Sequence, residues 1–190
     1  MESLKKIVVI GPESTGKSTL CQTLGGHYNT LWVPEYAREY LEKNGTEYNY
    51  EDLLRIANGQ IKLEEKISDQ LVASSEQLAS SHLSPLFIDT DLYVMKVWAE
   101  FVFNKCHNWI LNRIAQRKYD LYLLCDTDLP WIEDPLREYP DQKIREKLFY
   151  FYKDIMVNQS TPWVHIFGTY EERFQKALTA IEYVLNEKPL

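Results

Sequence analysis

Apolar residues in this chain follow two alternating spacings. Short β-branched or leucine-rich runs occur at Lys5–Ile10 (KKIVVI), Leu31–Val33, Leu86–Ile88, Leu121–Cys125 (LYLLC) and Trp163–Phe167. They lack polar alternation, as strands buried on both faces of a parallel sheet do. Between them the spacing becomes helical. Helices are predicted over Lys17–Leu24, with Gly25-Gly26 as a left-handed stop, and over Glu35–Asn44, closing at Gly45. From Glu51 to Ser80 the positions Leu53, Leu54, Ile56, Ala57, Ile61, Leu63, Ile67, Leu71 and Leu78 recur among charges and fit one long helix or two. Further helices are expected over Leu92–Gln116, Gln142–Asn158 and Glu171–Asn186.

Strand and helix therefore alternate throughout. The pattern predicts an α/β fold: right-handed crossovers forming a five-stranded parallel sheet with helices on both faces, and ligands at the carboxyl edge of the strands. No repeat or linker divides the chain, so residues 1–190 are expected to form a single domain. The long irregular stretch Asp126–Asp141, with Pro130, Pro135 and Pro140, reads as a lid over approximately 126–141.

Composition narrows the partners. With 190 residues, 45% of them hydrophobic, the chain can bury one substantial core. A formal net charge of -7 leaves no broad basic surface for a phosphodiester backbone, so nucleic acid is not expected as a partner. The cysteines Cys21, Cys106 and Cys125 are odd in number and widely spaced, which disfavours disulfide and zinc frameworks. No apolar run approaches the roughly 18 residues of a membrane span. The N-terminus has no signal-peptide pattern, so the expected location is cytoplasmic with no membrane partner. Composition leaves the oligomeric state open.

Chemistry enters at Gly11–Ser18 (GPESTGKS), which matches G-x-x-x-x-G-K-[ST] between a predicted strand and a predicted helix. Gly11 and Gly16 permit the tight path. The amides of Glu13, Ser14, Thr15, Gly16, Lys17, Ser18 and Thr19 are placed to face an anionic phosphate. Lys17 offers a point charge to the outer phosphates, and the Ser18 hydroxyl is a hard ligand for Mg²⁺. Asp89, closing a buried strand, is the expected carboxylate partner of that ion, with a helix N-cap as the alternative. Asp91 is divided between N-capping the following helix and binding a substrate hydroxyl. ATP and Mg are thus the expected cofactors.

Four clusters, GPESTGKSTL, VPEYAREYL (Val33–Leu41), FIDTD (Phe87–Asp91) and DLPWIEDPLR (Asp128–Arg137), occur in this order and at these intervals. Together they resemble the ribosylnicotinamide kinase domain of the NadR-type NAD salvage proteins, of the AAA-like P-loop ATPase/kinase family. The resemblance covers nearly the whole chain. It implies a three-layer P-loop NTPase, nucleoside- or nucleotide-kinase-like with a lid, that phosphorylates nicotinamide riboside to the mononucleotide.

Carried over by position, Trp131 would stack on the nicotinamide ring, or else pin the lid to the core. Glu35, Tyr36 and Arg38 would meet the sugar, or Glu35 and Arg38 would pair to lock their helix. Arg137 would close over the phosphates, with Arg145 as a second candidate. Lys17, Asp89, Glu35 and Arg137 form the implied catalytic set. Thr169 and Tyr170, in GTYEER, would lie nearest the adenine. Two other readings remain open: a kinase for another nucleoside, nucleotide or small metabolite, and an ATP-hydrolysing regulatory module. The NadR-type proteins also carry a DNA-binding segment and an adenylyltransferase domain, for which these 190 residues have no room.

Overall fold

The computed structural model describes residues 4–77 and 84–186. Leu78, which the apolar spacing placed on the long helix, lies outside the described residues. Five parallel strands, β1 (Lys6–Ile10), β2 (Trp32–Val33), β3 (Leu86–Asp89), β4 (Leu121–Cys125) and β5 (Trp163–Ile166), form one sheet in the order β2-β3-β1-β4-β5. The helices are α1 (Lys17–His27), α2 (Tyr36–Asn44), α3 (Tyr50–Gln77), α4 (Leu92–Phe103), α5 (Asn108–Gln116), α6 (Gln142–Asn158) and α7 (Tyr170–Asn186).

The three layers follow from the two-residue period of a strand. On β1, Ile7 and Val9 face α1 and α7, packing with Leu20, Leu24, Ala177 and Ile181. Val8 and Ile10 face the other way, toward Val94 and Val97 of α4 and Leu148 and Tyr152 of α6. Both faces of β1 are dry, which explains why its sequence never alternates. A third cluster joins α2, α3, α4 and α5 through Ala37, Leu53, Ile56, Met95 and Ile110.

Two expected boundaries are corrected. The first helix does not stop at Gly25-Gly26 but runs on to His27, and the left-handed residue is Asn29 at φ 47°. Gly25 serves packing instead. A Cβ there would sit 3.3 Å from both the Thr30 carbonyl and the Trp32 ring, so its smallness lets the chain turn tightly into β2. The predicted helix Leu92–Gln116 is two helices, broken after Asn104, which adopts φ 56°. The break turns α5 so that Ile110 packs into the α3–α4 cluster. His107 then stacks on Tyr50 at 3.8 Å between ring centroids. The region from 51 onward, open as one helix or two, is one helix to Gln77.

Gly59 on α3 shows how closely α2 approaches. A methyl group at this position would overlap the Tyr36 ring. Gly59→Ala should therefore destabilise the protein by about 1–3 kcal/mol through overpacking, despite alanine's better helix propensity. Thermal or urea unfolding would show it, and a gain in stability would mean that the ring moves aside freely.

Strand order decides where a ligand can bind. β1 is central, and its neighbours β3 and β4 are reached by crossovers to opposite sides. The loops leaving β1, β3 and β4 therefore diverge around the carboxyl end of β1, opening a crevice there. Residues 126–141, which contain no helix or strand, run across this edge.

Candidate functional site

Gly11 leaves β1 at φ 142°, and a Cβ there would lie 2.6 Å from the Cys125 carbonyl oxygen. Only glycine allows the loop to pass so close to the end of β4. Gly16 caps α1 at φ 77° with no side-chain hydrogen bond, and the first turn of α1 carries no acid. The amide-rich, partly positive start of α1 is thus offered to an anion. Within the loop, Thr15 Oγ1 and Lys17 Nζ both donate to the Pro12 carbonyl, at 2.7 and 2.8 Å, which sets the Lys17 ammonium across the loop mouth.

The Ser18 hydroxyl donates to the Asp89 carboxylate at the end of β3. Asp89 is fully buried, and its pKa is pushed up to about 6, first by burial and then by the charge of Glu35, with Lys17 opposing. Among the described residues its carboxylate has no ion-pair partner. A hydroxyl and a carboxylate meeting beside a phosphate loop suit a hard divalent cation. No group of three or more His, Cys, Asp or Glu side chains able to hold a metal occurs among the described residues, so other oxygens would complete the coordination.

The cations around the loop are distributed unevenly. Arg38 pairs with Asp134 at 2.8 Å, and Arg173 pairs with Asp128. Lys17, Arg137 and Arg145 have no carboxylate partner among the described residues, in a chain of net charge -7. Arg137 donates to the Ile132 carbonyl at 2.5 Å and to Ser14 Oγ at 3.4 Å. Arg145 is 1% exposed and donates to the Ser14 carbonyl at 3.0 Å, which makes it a support of the loop from behind. Burial lowers its pKa, and the nearby Arg137 charge adds to that effect.

A cleft of about 1110 Å³, counting its open mouth, continues from the loop between α2, α4, α6 and residues 136–139. Glu35 and Arg38 line it near the phosphate loop, and Trp98, Phe101, Tyr139 and Tyr152 supply aromatic walls. Sequence reasoning assigned no role to these four rings; Val94, Val97, Trp98 and Phe101 fall on one predicted helix at a spacing that suits a core-facing stripe. The β3-to-β4 crossover brings part of that stripe beside the loop.

Of the other residues singled out in the sequence, Glu35 and Arg38 line the cleft, while Tyr36 and Asp91 do not. Tyr36 turns its ring onto Gly59 of α3, and its N–H donates to Gln60 Oε1 at 2.7 Å. Arg38 pairs with Asp134 and, at 3.8 Å, with Glu42; the expected partner Glu35 is not engaged. Glu35 is the N-cap residue of α2 and makes no side-chain capping bond. Asp91 N-caps α4 by accepting from the Tyr93 N–H at 2.9 Å, and its other oxygen accepts from Tyr122 OH at 2.8 Å. It is fully committed and outside the cleft lining, with its pKa raised by burial to about 7.

Trp131 also lies outside the cleft lining. Its ring faces the guanidinium groups of Arg145 and Arg137, at 5.6 and 5.9 Å. Of the alternatives weighed for it, this position matches packing of the 126–141 segment rather than contact with a cleft ligand.

On the other side of the loop, Tyr170 packs against Gly16 beside a second hollow lined by Thr19, Leu20, Thr23 and Phe174. Thr169 and Glu172 form a reciprocal cap at the start of α7, with the Thr169 N–H donating to Glu172 Oε2 at 2.7 Å and the Glu172 N–H to Thr169 Oγ1 at 3.3 Å. Arg173, to which the sequence assigned no role, donates to the carbonyls of Gly168 (2.8 Å), Thr15 (2.9 Å) and Asp126 (3.1 Å). It joins the phosphate loop to the ends of β4 and β5. No linear signal could have revealed this, since its partners lie far apart in sequence.

Known proteins place this arrangement in context. The chain is 25% identical over 190 residues to the trifunctional NAD biosynthesis/regulator protein NadR of Salmonella typhimurium and 24% identical to that of Escherichia coli. Each match covers 97% of this chain but 44% of the relative, so the chain spans less than half the length of these curated relatives. Among solved structures, a NadR protein in complex with NR superposes with TM-score 0.76, at 23% identity, over 98% of this chain and 51% of that one. A NadR protein in complex with NAD and AMP-PNP gives 0.74, at 23% identity over the same shares. Thymidylate kinase from Ehrlichia chaffeensis gives 0.62 at 14% identity, over 96% and 100%. The resemblance to the NadR-type domain and the P-loop kinase fold read from the sequence therefore both hold. Residues 6–173 match the family model of the AAA domain, and the chain belongs to that family.

Proposed function

We propose that this protein transfers the terminal phosphate of ATP to the 5'-hydroxyl of nicotinamide riboside, giving the mononucleotide and ADP. The observation that carries the reading is that Lys17 and Arg137, cations without carboxylate partners among the described residues, line one cleft together with aromatic rings. Such a charge arrangement is stabilised by a polyanion, and the adjoining rings suit a flat, weakly hydrated base. The NadR proteins of known structure that resemble this chain were solved with NR and with AMP-PNP, which supports the same pairing of ligands.

In this reading the phosphate chain lies on the amides of Gly11–Thr19, with Lys17 on its outer oxygens and the base of ATP toward Tyr170. Ser18 and Asp89 would hold Mg²⁺, which neutralises charge on the phosphate oxygens. Glu35, facing the cleft and near Asp89, orients the acceptor hydroxyl and takes its proton. The bond from the acceptor oxygen to the γ-phosphorus forms as the bond to the β–γ bridging oxygen breaks, and Arg137 meets the charge that spreads over the transferred group. A pyridinium ring gains from the faces of Trp98, Phe101, Tyr139 or Tyr152 and from the nearby carboxylates Glu13, Glu35 and Glu138.

The test is product analysis with MgATP and nicotinamide riboside alongside a panel of neutral nucleosides and nucleotides. Mononucleotide formation, with the riboside preferred over neutral nucleosides, is the expected result. Turnover of a neutral nucleoside with none of the riboside would overturn the acceptor assignment, and ATP hydrolysis without any phosphorylated product would overturn the kinase reading.

A further inference from the structure

Glu13 belongs to the phosphate-loop motif, where the sequence places it among the nucleotide ligands. Its carboxylate is used differently. It accepts the Glu138 N–H, at 3.1 Å to each oxygen, and the Tyr139 N–H. Both partners line the cleft. The Tyr139 ring stands edge-on to Phe101, with centroids 5.3 Å apart. The Glu138 carboxylate accepts from Tyr48 OH at 2.9 Å, and that hydroxyl accepts from Trp98 Nε1 at 2.8 Å. One loop carboxylate therefore fixes two amides whose side chains link three of the cleft's rings: Tyr139 itself, Phe101 beside it, and Trp98 through Tyr48.

The neighbouring loop residue acts on the same segment, since Ser14 Oγ accepts the Ile132 N–H at 3.0 Å and a weaker bond from Arg137 at 3.4 Å. Residues 132–139 belong to no sheet or helix that would satisfy their backbone donors, so the loop's side chains supply acceptors. A carboxylate with its oxygens committed in this way, next to a site for a polyanion, is poorly suited to touch the nucleotide.

We propose that Glu13 is a positioning residue for the phosphoryl acceptor: it latches the aromatic wall of the cleft to the phosphate loop, so that the acceptor and the γ-phosphate are held in one frame. The inference rests on the kinase reading above for the identity of the acceptor. The latch itself is a matter of geometry.

The full chain carrying Glu13→Ala and Glu13→Gln tests it in two ways. In steady-state assays with nicotinamide riboside, Glu13→Ala should raise the acceptor KM about 30-fold, the loss expected for two charge-assisted bonds weakened together, while the ATP KM moves by less than about threefold. Glu13→Gln keeps a carbonyl acceptor and should recover most of that loss. Amide hydrogen exchange needs no acceptor, and in Glu13→Ala the Glu138 and Tyr139 amides should exchange at least about tenfold faster, with the strands of the sheet unchanged.

A parallel rise in both KM values would overturn the proposal, because it would show a general loop defect. So would unaltered exchange at Glu138 and Tyr139. A wild-type protein inert toward every nucleoside would overturn the kinase reading instead, and the exchange result would still decide whether the latch exists.

Discussion

Lys17→Ala should lower kcat/KM for phosphoryl transfer by about 10²–10³-fold or more, the scale seen when one preorganised donor to a developing charge is removed. Stability should hardly change. In the folded chain the ammonium makes one hydrogen bond, to the Pro12 carbonyl at 2.8 Å, and no ion pair among the described residues. Thr15 Oγ1 also bonds that carbonyl, so the acceptor is not orphaned when the lysine is lost. The change therefore removes a charge aimed at the ligand site and little that shapes the loop. Paired measurements of turnover and melting temperature test this. Activity retained within about tenfold would place the phosphate contact elsewhere, and a large loss of stability would mean that the lysine builds the loop.

Arg173→Met should do the reverse, lowering unfolding stability by about 3 kcal/mol. The guanidinium is 2% exposed and serves the carbonyls of Gly168, Thr15 and Asp126, besides pairing with Asp128. Methionine fills much of the volume but donates nothing, so buried acceptors lose partners at the junction of the phosphate loop with β4 and β5. Because Asp128 is partly exposed, its own share is reduced by solvent. Urea unfolding gives the stability change directly. Nucleotide affinity should weaken as well, since the Thr15 carbonyl is one of the points that hold the loop's path. A loss under about 1 kcal/mol would mean that water satisfies these carbonyls when the arginine is gone.

The two substitutions separate roles that the linear sequence does not distinguish. Lys17 is legible because its chemistry is local: a glycine-bounded loop of defined length between a dry strand and a helix places the ammonium without reference to the rest of the chain. Asp89 is legible for a similar reason, being the polar end of a buried strand that must finish at the sheet's carboxyl edge. Arg173 is opaque because each carbonyl it serves belongs to a different loop. Asp91 was ambiguous in sequence, and the position of Tyr122 on β4, on the far side of β1 from β3, gives its second oxygen a partner away from the cleft.

Glycine and tryptophan were the least reliable guides. Gly25-Gly26 reads as a helix stop, yet Gly25 sits where a Cβ would come within 3.3 Å of both Trp32 and Thr30. Trp131 sits in a motif that suggests a stacking surface, while the rings lining the cleft come from α4, α6 and Tyr139. Those rings were hidden because an aromatic residue on an amphipathic helix looks the same whether it faces a core or a crevice.

By itself the sequence determined the alternation of strands and helices, the parallel sheet, and the phosphate loop with its lysine and hydroxyl, because each depends on residues within one turn or one strand of each other. The tertiary structure decided which rings frame the cleft, which acids are committed to capping, and which cations lack partners. Those properties depend on strand order, which brings residues 35, 98, 139 and 173 around the end of β1 through contacts that no local pattern encodes.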